Sequence, residues 1–168
     1  MAAALSLVGL VFYIILHAPI PCCGWGRPSC LGNMRQLGLA AMLYARDYDD
    51  RLPLANWRDP LVPYLERLRQ EAPAIRGMPE SHRPVHDVFQ CPQDATPQTD
   101  SYAYNRFLAG HSLDKFYQSN SDYSRTVMLY EVENSKIAFR HKGGTNILTV
   151  DIHARWYTPA DVAALKWW

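Results

Sequence analysis

The chain has 168 residues, 48% of them hydrophobic and 20% charged, which bounds it to one globular domain with at most an appendage and excludes wholesale disorder. Its formal net charge of +1 supplies no basic footprint, so no nucleic-acid partner is expected. The four cysteines, Cys22, Cys23, Cys30 and Cys91, contain no C-x2-C pair, which argues against a zinc ribbon or a redox motif.

From Ala2 to Leu16 the chain is apolar except for Ser6, and the residues to Ile20 bring the run to the ~20 that a spanning helix needs. A single membrane-crossing or signal-anchor helix over residues 2–21 is therefore expected, inside an anchor segment 1–28. A buried core helix is the alternative. Arg27 and Arg35 follow this run, a distribution that the positive-inside rule sets against export of the body.

Residues 29–168 read as the folded domain. Ser29 is a good N-cap for a helix Cys30–Asp47, in which Leu31, Met34, Leu37, Gly38, Ala41, Tyr44 and Tyr48 recur at helical spacing. Asp47, Asp49, Asp50 and Arg51 follow. Their carboxylates suit calcium in kind, but the EF-hand spacing is absent, and a solvated helix exit with Asp–Arg pairing is the simpler reading. No cofactor is expected; calcium is left without a residue assignment. A short helix with proline in its first turn is expected over Pro60–Leu68. The loop 76–88 carries His82 and His86, and Pro84 between them opposes the helix that an H-x3-H metal pair would need.

A strand at Tyr102–Phe107, a helical turn at Leu113–Tyr117 and a strand Arg125–Glu131 with two apolar faces come next. Lys136–His141, Thr145–Val150 and Ala154–Tyr157 complete an antiparallel meander, with Lys142-Gly143-Gly144 as one reversal and Asp151-Ile152 as another. A two-residue turn there places Ile147 opposite Trp156 and Leu148 opposite Arg155. Ile152 suits the positive φ of such a turn poorly, so either the loop is longer or the hairpin is strained. Thr158-Pro159-Ala160-Asp161 starts a last short helix.

His141, nine residues, then Asp151 is a motif, with Arg140, Asn146 and Trp156 around it. Upstream stand Ser29-Cys30-Leu31-Gly32-Asn33-Met34-Arg35-Gln36-Leu37-Gly38, then Tyr44-Ala45-Arg46-Asp47-Tyr48-Asp49. Phe89-Gln90-Cys91-Pro92 with Asp94 and Ser101-Tyr102-Ala103-Tyr104-Asn105 follow in turn. In this order, over residues 29 to about 157, the chain resembles the bacterial prepilin-like, type II secretion pseudopilin-like proteins that end in an H-x9-D-G segment. Ile152 stands where that pattern has glycine. The family's leader and its Phe-Thr-Leu-Ile-Glu are not found at Met1–Leu5, which leaves either a start upstream or a member that anchors without polymerising.

The resemblance implies an α+β, pilin-like fold: a hydrophobic N-terminal helix, a long helix packed on a small antiparallel sheet, and a short C-terminal helix. It implies a non-enzymatic subunit of a type II secretion or type IV pilus-like assembly, with other pilin-like subunits and secretion components as partners. The expected location is the bacterial inner membrane, single-pass through residues 2–21, with the body extracytoplasmic. A tethered module binding carbohydrate or peptide is the alternative function. The enzyme reading rests on His141, Asp151 and His153 as metal ligands or as a base with its orienting carboxylate, with Asp94 or Glu131 in support. No nucleophile elbow, zinc-protease helix or phosphate loop accompanies them. Cys30 and Cys91 are a candidate disulfide in an oxidising compartment, with two free thiols as the alternative.

Overall fold

A computed structural model describes residues 29–71, 87–95, 100–114 and 122–167. Ser29 has extended backbone, φ −135° and ψ 142°, and its hydroxyl accepts the Gly32 amide at 3.1 Å. A helix cannot run through that conformation, so helix α1, Cys30–Asp47, begins here with one orphan N–H satisfied. It ends at Tyr48, φ −128°, followed by Asp49 and Asp50 at φ 52° and 56°. Arg46 pairs with Asp47 at 3.4 Å, and Asp49 and Asp50 are exposed, so the helix exit is solvated.

The described elements correct the expected fold class. Instead of a hydrophobic N-terminal helix feeding a long helix, the described chain has short helices of 18, 14 and 4 residues and a five-stranded antiparallel sheet. The expected single-pass location in a membrane is corrected on the same ground. No described helix is long and apolar enough to cross a membrane. The run 2–21 on which that expectation rests lies outside the described residues, as do Cys22, Cys23, His82, His86 and the second half of the turn expected at Leu113–Tyr117.

Helix α2 spans Arg58–Glu71, longer than the expected Pro60–Leu68, and tolerates Pro63 at the loss of one backbone bond. Strand β1 is Tyr102–Tyr104, and the expected strand stops there because Asn105 Oδ1 accepts the Phe107 amide at 3.2 Å and opens a 3-10 turn, Arg106–Leu108. Strand β2, Val127–Glu133, is the centre of the sheet. It pairs with β1, with the two-residue β3 (Lys136–Ile137) and with β4 (Thr145–Thr149), which pairs in turn with β5 (Ala154–Tyr157). The expected strand Lys136–His141 thus shrinks to its first two residues. Helix α3, Pro159–Val162, carries a capping box between Thr158 and Asp161, whose carboxyl is held below its ordinary range by the Thr158 hydroxyl and amide.

The β2–β4 register slips between Val127 and Leu129, a bulge that turns both Met128 and Leu129 into the main core. There they meet Met34, Leu37, Ala41 and Leu148, while Val127 and Ile147 pack with Val162 and Leu165 in a second cluster. Both sides of β2 are therefore covered, as its apolar sequence requires. Gly38 lets β4 lie close on α1, because a Cβ there would stand 2.7 Å from Leu148 Cδ2.

The last hairpin differs from the expected one by one residue. Ile147 pairs with Arg155 and Asn146 with Trp156. The loop is Val150-Asp151-Ile152: the Ile152 amide donates to Thr149 O at 2.9 Å, and Ile152 then takes φ 63°. A type I turn followed by a left-handed residue is a common three-residue hairpin loop. A β-branched side chain is strained in that region, and Ile152 offsets the strain by packing on the core. Replacing Ile152 with Ala removes the packing and keeps the strain, whereas Gly removes both. We expect Ile152→Gly to unfold at higher urea than Ile152→Ala, by about 1 kcal/mol, reversing the usual order. Equal midpoints would show that the loop stores no strain.

Candidate functional site

Glu131 is the only charged side chain of β2 before its exposed end and is fully buried. Its carboxylate lies between β4 and the start of α1. One oxygen, Oε2, accepts the Asn146 amide at 2.9 Å and faces Thr145 Oγ1 at 3.5 Å. The other, Oε1, stands 2.6 Å from His141 Nε2 and 3.4 Å from Asn146 Nδ2. His141 Nε2 is also 3.6 Å from Cys91 Sγ, and Cys91 is joined to Cys30 by a disulfide that closes a separation of 61 residues. Two sulfurs, a carboxylate oxygen and an imidazole nitrogen thus all lie within 4.8 Å of one another.

A second buried pair flanks the first. Arg140 and Asp94 form an ion pair with side chains only 10% and 1% exposed, and Arg140 Nη2 donates to Val132 O at 2.7 Å. Asp94 also accepts Ser101 Oγ at 2.7 Å, and that hydroxyl accepts the Cys91 amide at 2.8 Å. The segment carrying Cys91 is consequently tied twice, to helix α1 through the disulfide and to the sheet through this relay. Asn33 reaches it from α1, its Nδ2 donating to Gln90 O at 2.8 Å and lying 3.5 Å from the Tyr102 hydroxyl. Burial pushes the Tyr102 and Tyr104 phenols well above the usual range, so both remain neutral, Tyr102 accepting from Asn33 and Tyr104 donating to Leu108 O.

The expected site residues separate. His141 lies at the start of β4, in the cluster just described, whereas Asp151 and His153 lie past its other end. Asp151 organises the hairpin loop: it accepts from Thr149 Oγ1 and from the His153 amide, and His153 Nδ1 stands 3.0 Å from Asp151 Oδ2. The His141–Asp151–His153 metal site considered from sequence is therefore not assembled. Its first member meets Glu131 and the sulfurs instead. Cys30 and Cys91 do pair. Glu131, named from sequence only as a support to the His141 set, is the direct partner of His141; its signal was an acid inside the apolar strand RTVMLYE.

The turn after His141 completes the site. Lys142 and Gly143 take φ 53° and 78°, the two left-handed positions of a tight hairpin turn, with mutual bonds of 3.0 Å between His141 and Gly144. The Trp156 indole lies flat on Gly144 and donates through Nε1 to His141 O at 2.8 Å. A Cβ on Gly144 would stand 2.2 Å from the indole ring. Gly144→Ala is expected to expel the ring, break the Nε1 bond and destabilise the domain by about 1–3 kcal/mol. Urea unfolding followed by tryptophan fluorescence reads this directly, and an unchanged midpoint would contradict the close approach.

Compared with protein-family models, with curated proteins and with solved structures, the chain matches none.

Proposed function

We propose that this chain is a non-enzymatic, prepilin-like structural subunit that works by packing against other pilin-like subunits of a secretion or pilus-like assembly. One observation carries the reading: the polar residues of the motif series are spent on internal bonds. Asn33 holds the Cys91 segment, Asp94 and Ser101 hold Arg140 and Cys91, Glu131 holds His141 and Asn146, and Asp151 holds its own loop. Asn105 donates through Nδ2 to both Val127 O and Trp167 O, fastening the C-terminal segment to the sheet. Residues used this way build a precise surface rather than an open reactive centre. Leu39, Leu54, Val62 and Phe107 are each about half exposed, which suits contact with a second subunit.

A shallow basin lined by Tyr130, Lys136, Ile137, Phe139 and Trp167 favours a second reading, a binding module for carbohydrate or peptide. Sedimentation of the full chain across a hundredfold range of concentration separates the two. The subunit reading expects self-association, weakened at least tenfold by Leu39→Glu with Val62→Glu. A monomer at every concentration that binds glycans through the basin would replace it with the second.

A further inference from the structure

The sulfur, carboxylate and imidazole cluster has a chemistry that the disulfide conceals. Every chain is synthesised with Cys30 and Cys91 as thiols, and in the disulfide-bonded structure their sulfurs stand within 4.8 Å of the His141 and Glu131 ligand atoms. Zinc–sulfur bonds of about 2.3 Å and zinc–nitrogen or zinc–oxygen bonds of about 2.0–2.2 Å set tetrahedral edges of roughly 3.3–3.8 Å, which the four atoms reach by small displacements once the two sulfurs are no longer bonded to each other. We infer that the reduced chain binds one zinc ion through Cys30 Sγ, Cys91 Sγ, His141 Nε2 and a Glu131 carboxylate oxygen, and that closure of the disulfide expels it. This goes beyond the proposed subunit role and does not depend on it.

The surroundings suit that donor set. Cys30 is the first residue of the 18-residue helix α1, whose positive end favours a thiolate. Asn146 donates to both carboxylate oxygens of Glu131, through its backbone amide and through Nδ2, and so orients that ligand from behind. His141 already turns Nε2 toward both Glu131 and Cys91. Two thiolates select zinc over calcium or magnesium. The cluster is buried apart from the His141 edge, which makes it a closed, structural kind of site.

The steps balance. Zinc displaces one proton from each thiol and binds His141 as the neutral imidazole that carries its proton on Nδ1. A small-molecule disulfide such as oxidised glutathione then accepts two electrons from the two cysteine sulfurs; one S–S bond forms, the oxidant's S–S bond breaks to two thiols that take up two protons, and the ion leaves. The metal and the disulfide are alternatives, since each uses the same two sulfurs.

Cobalt(II) and zinc titrations of the full chain, carrying Cys22→Ser and Cys23→Ser so that only Cys30 and Cys91 supply thiols, test this. The reduced chain should take up one equivalent, with the sulfur-to-cobalt charge-transfer band of two thiolates and the visible bands of a tetrahedral ion. Oxidation with oxidised glutathione should release the metal in step with the loss of two thiols, and the oxidised chain should take up none. His141→Gln should weaken zinc binding at least tenfold, judged by competition with a chromophoric chelator. That titration leaves all four proposed ligands in place and does not depend on His141→Gln folding. A reduced chain that binds no cobalt, a bound cobalt without thiolate charge transfer, or equal uptake by the oxidised chain would each overturn the inference.

Discussion

Glu131→Ala is expected to cost about 3–5 kcal/mol, a large share of the about 5–15 kcal/mol by which a domain is stable. The carboxylate is fully buried and answers the Asn146 amide, the Asn146 side chain and His141 together. Removing it strands these groups without water, and a stranded buried donor costs about 1–3 kcal/mol. Glu131→Gln separates the effects, because it keeps the volume and one acceptor oxygen while turning an NH2 group toward either His141 or Asn146. Its loss should be roughly half that of alanine. Urea denaturation of the two variants, with His141→Leu alone and combined with each, gives the coupling. Strongly non-additive losses are expected for Glu131 and His141. Additive losses would mean that the 2.6 Å contact contributes nothing of its own.

This site shows where reading by sequence stops. The starts of α1 and α3 were legible because capping is local: Ser29 with Gly32, and Thr158 with Asp161, satisfy each other within three residues. The two apolar faces of β2 were legible because they follow from alternation. The two-residue register was off by one, while Ile152 itself pointed to the longer loop that forms; local sequence left open which of the two lengths the chain takes, because that depends on whether residue 152 turns left-handed. Cys30–Cys91 was an open choice because pairing is a matter of where two chain segments meet. The partners of His141 and Arg140, Glu131 and Asp94, lie 10 and 46 positions upstream, and only the packing of β2 and the Cys91 segment brings them together. The long-helix architecture drawn from family resemblance was corrected by the described helices themselves, of 18, 14 and 4 residues, none long and apolar enough to cross a membrane.

Reducing the Cys30–Cys91 bond, or replacing Cys91 with Ser in a Cys22→Ser/Cys23→Ser background, should lower stability by about 4 kcal/mol. The estimate follows from the 61-residue separation of the two cysteines, since a longer closed loop restricts the unfolded chain more. For a chain of this length the loss corresponds to a fall in Tm of roughly 8–16 °C. Two features oppose part of it in the native state. The Asp94–Ser101–Cys91 relay and the Arg140–Asp94 pair still tether the Cys91 segment to the sheet, and Asn33 still holds Gln90 from α1. The folded domain should therefore survive reduction with its sheet intact and lose mainly its margin against unfolding. Calorimetry of the oxidised and reduced chains measures the shift, and far-ultraviolet circular dichroism below the lower transition checks that the fold persists. Excess zinc should then raise the Tm of the reduced chain, because a ligand that binds only the folded form stabilises it by mass action, and should leave the oxidised chain unmoved. A reduced chain with the same Tm as the oxidised one would show that the tethers alone close the loop and that the disulfide adds nothing to stability.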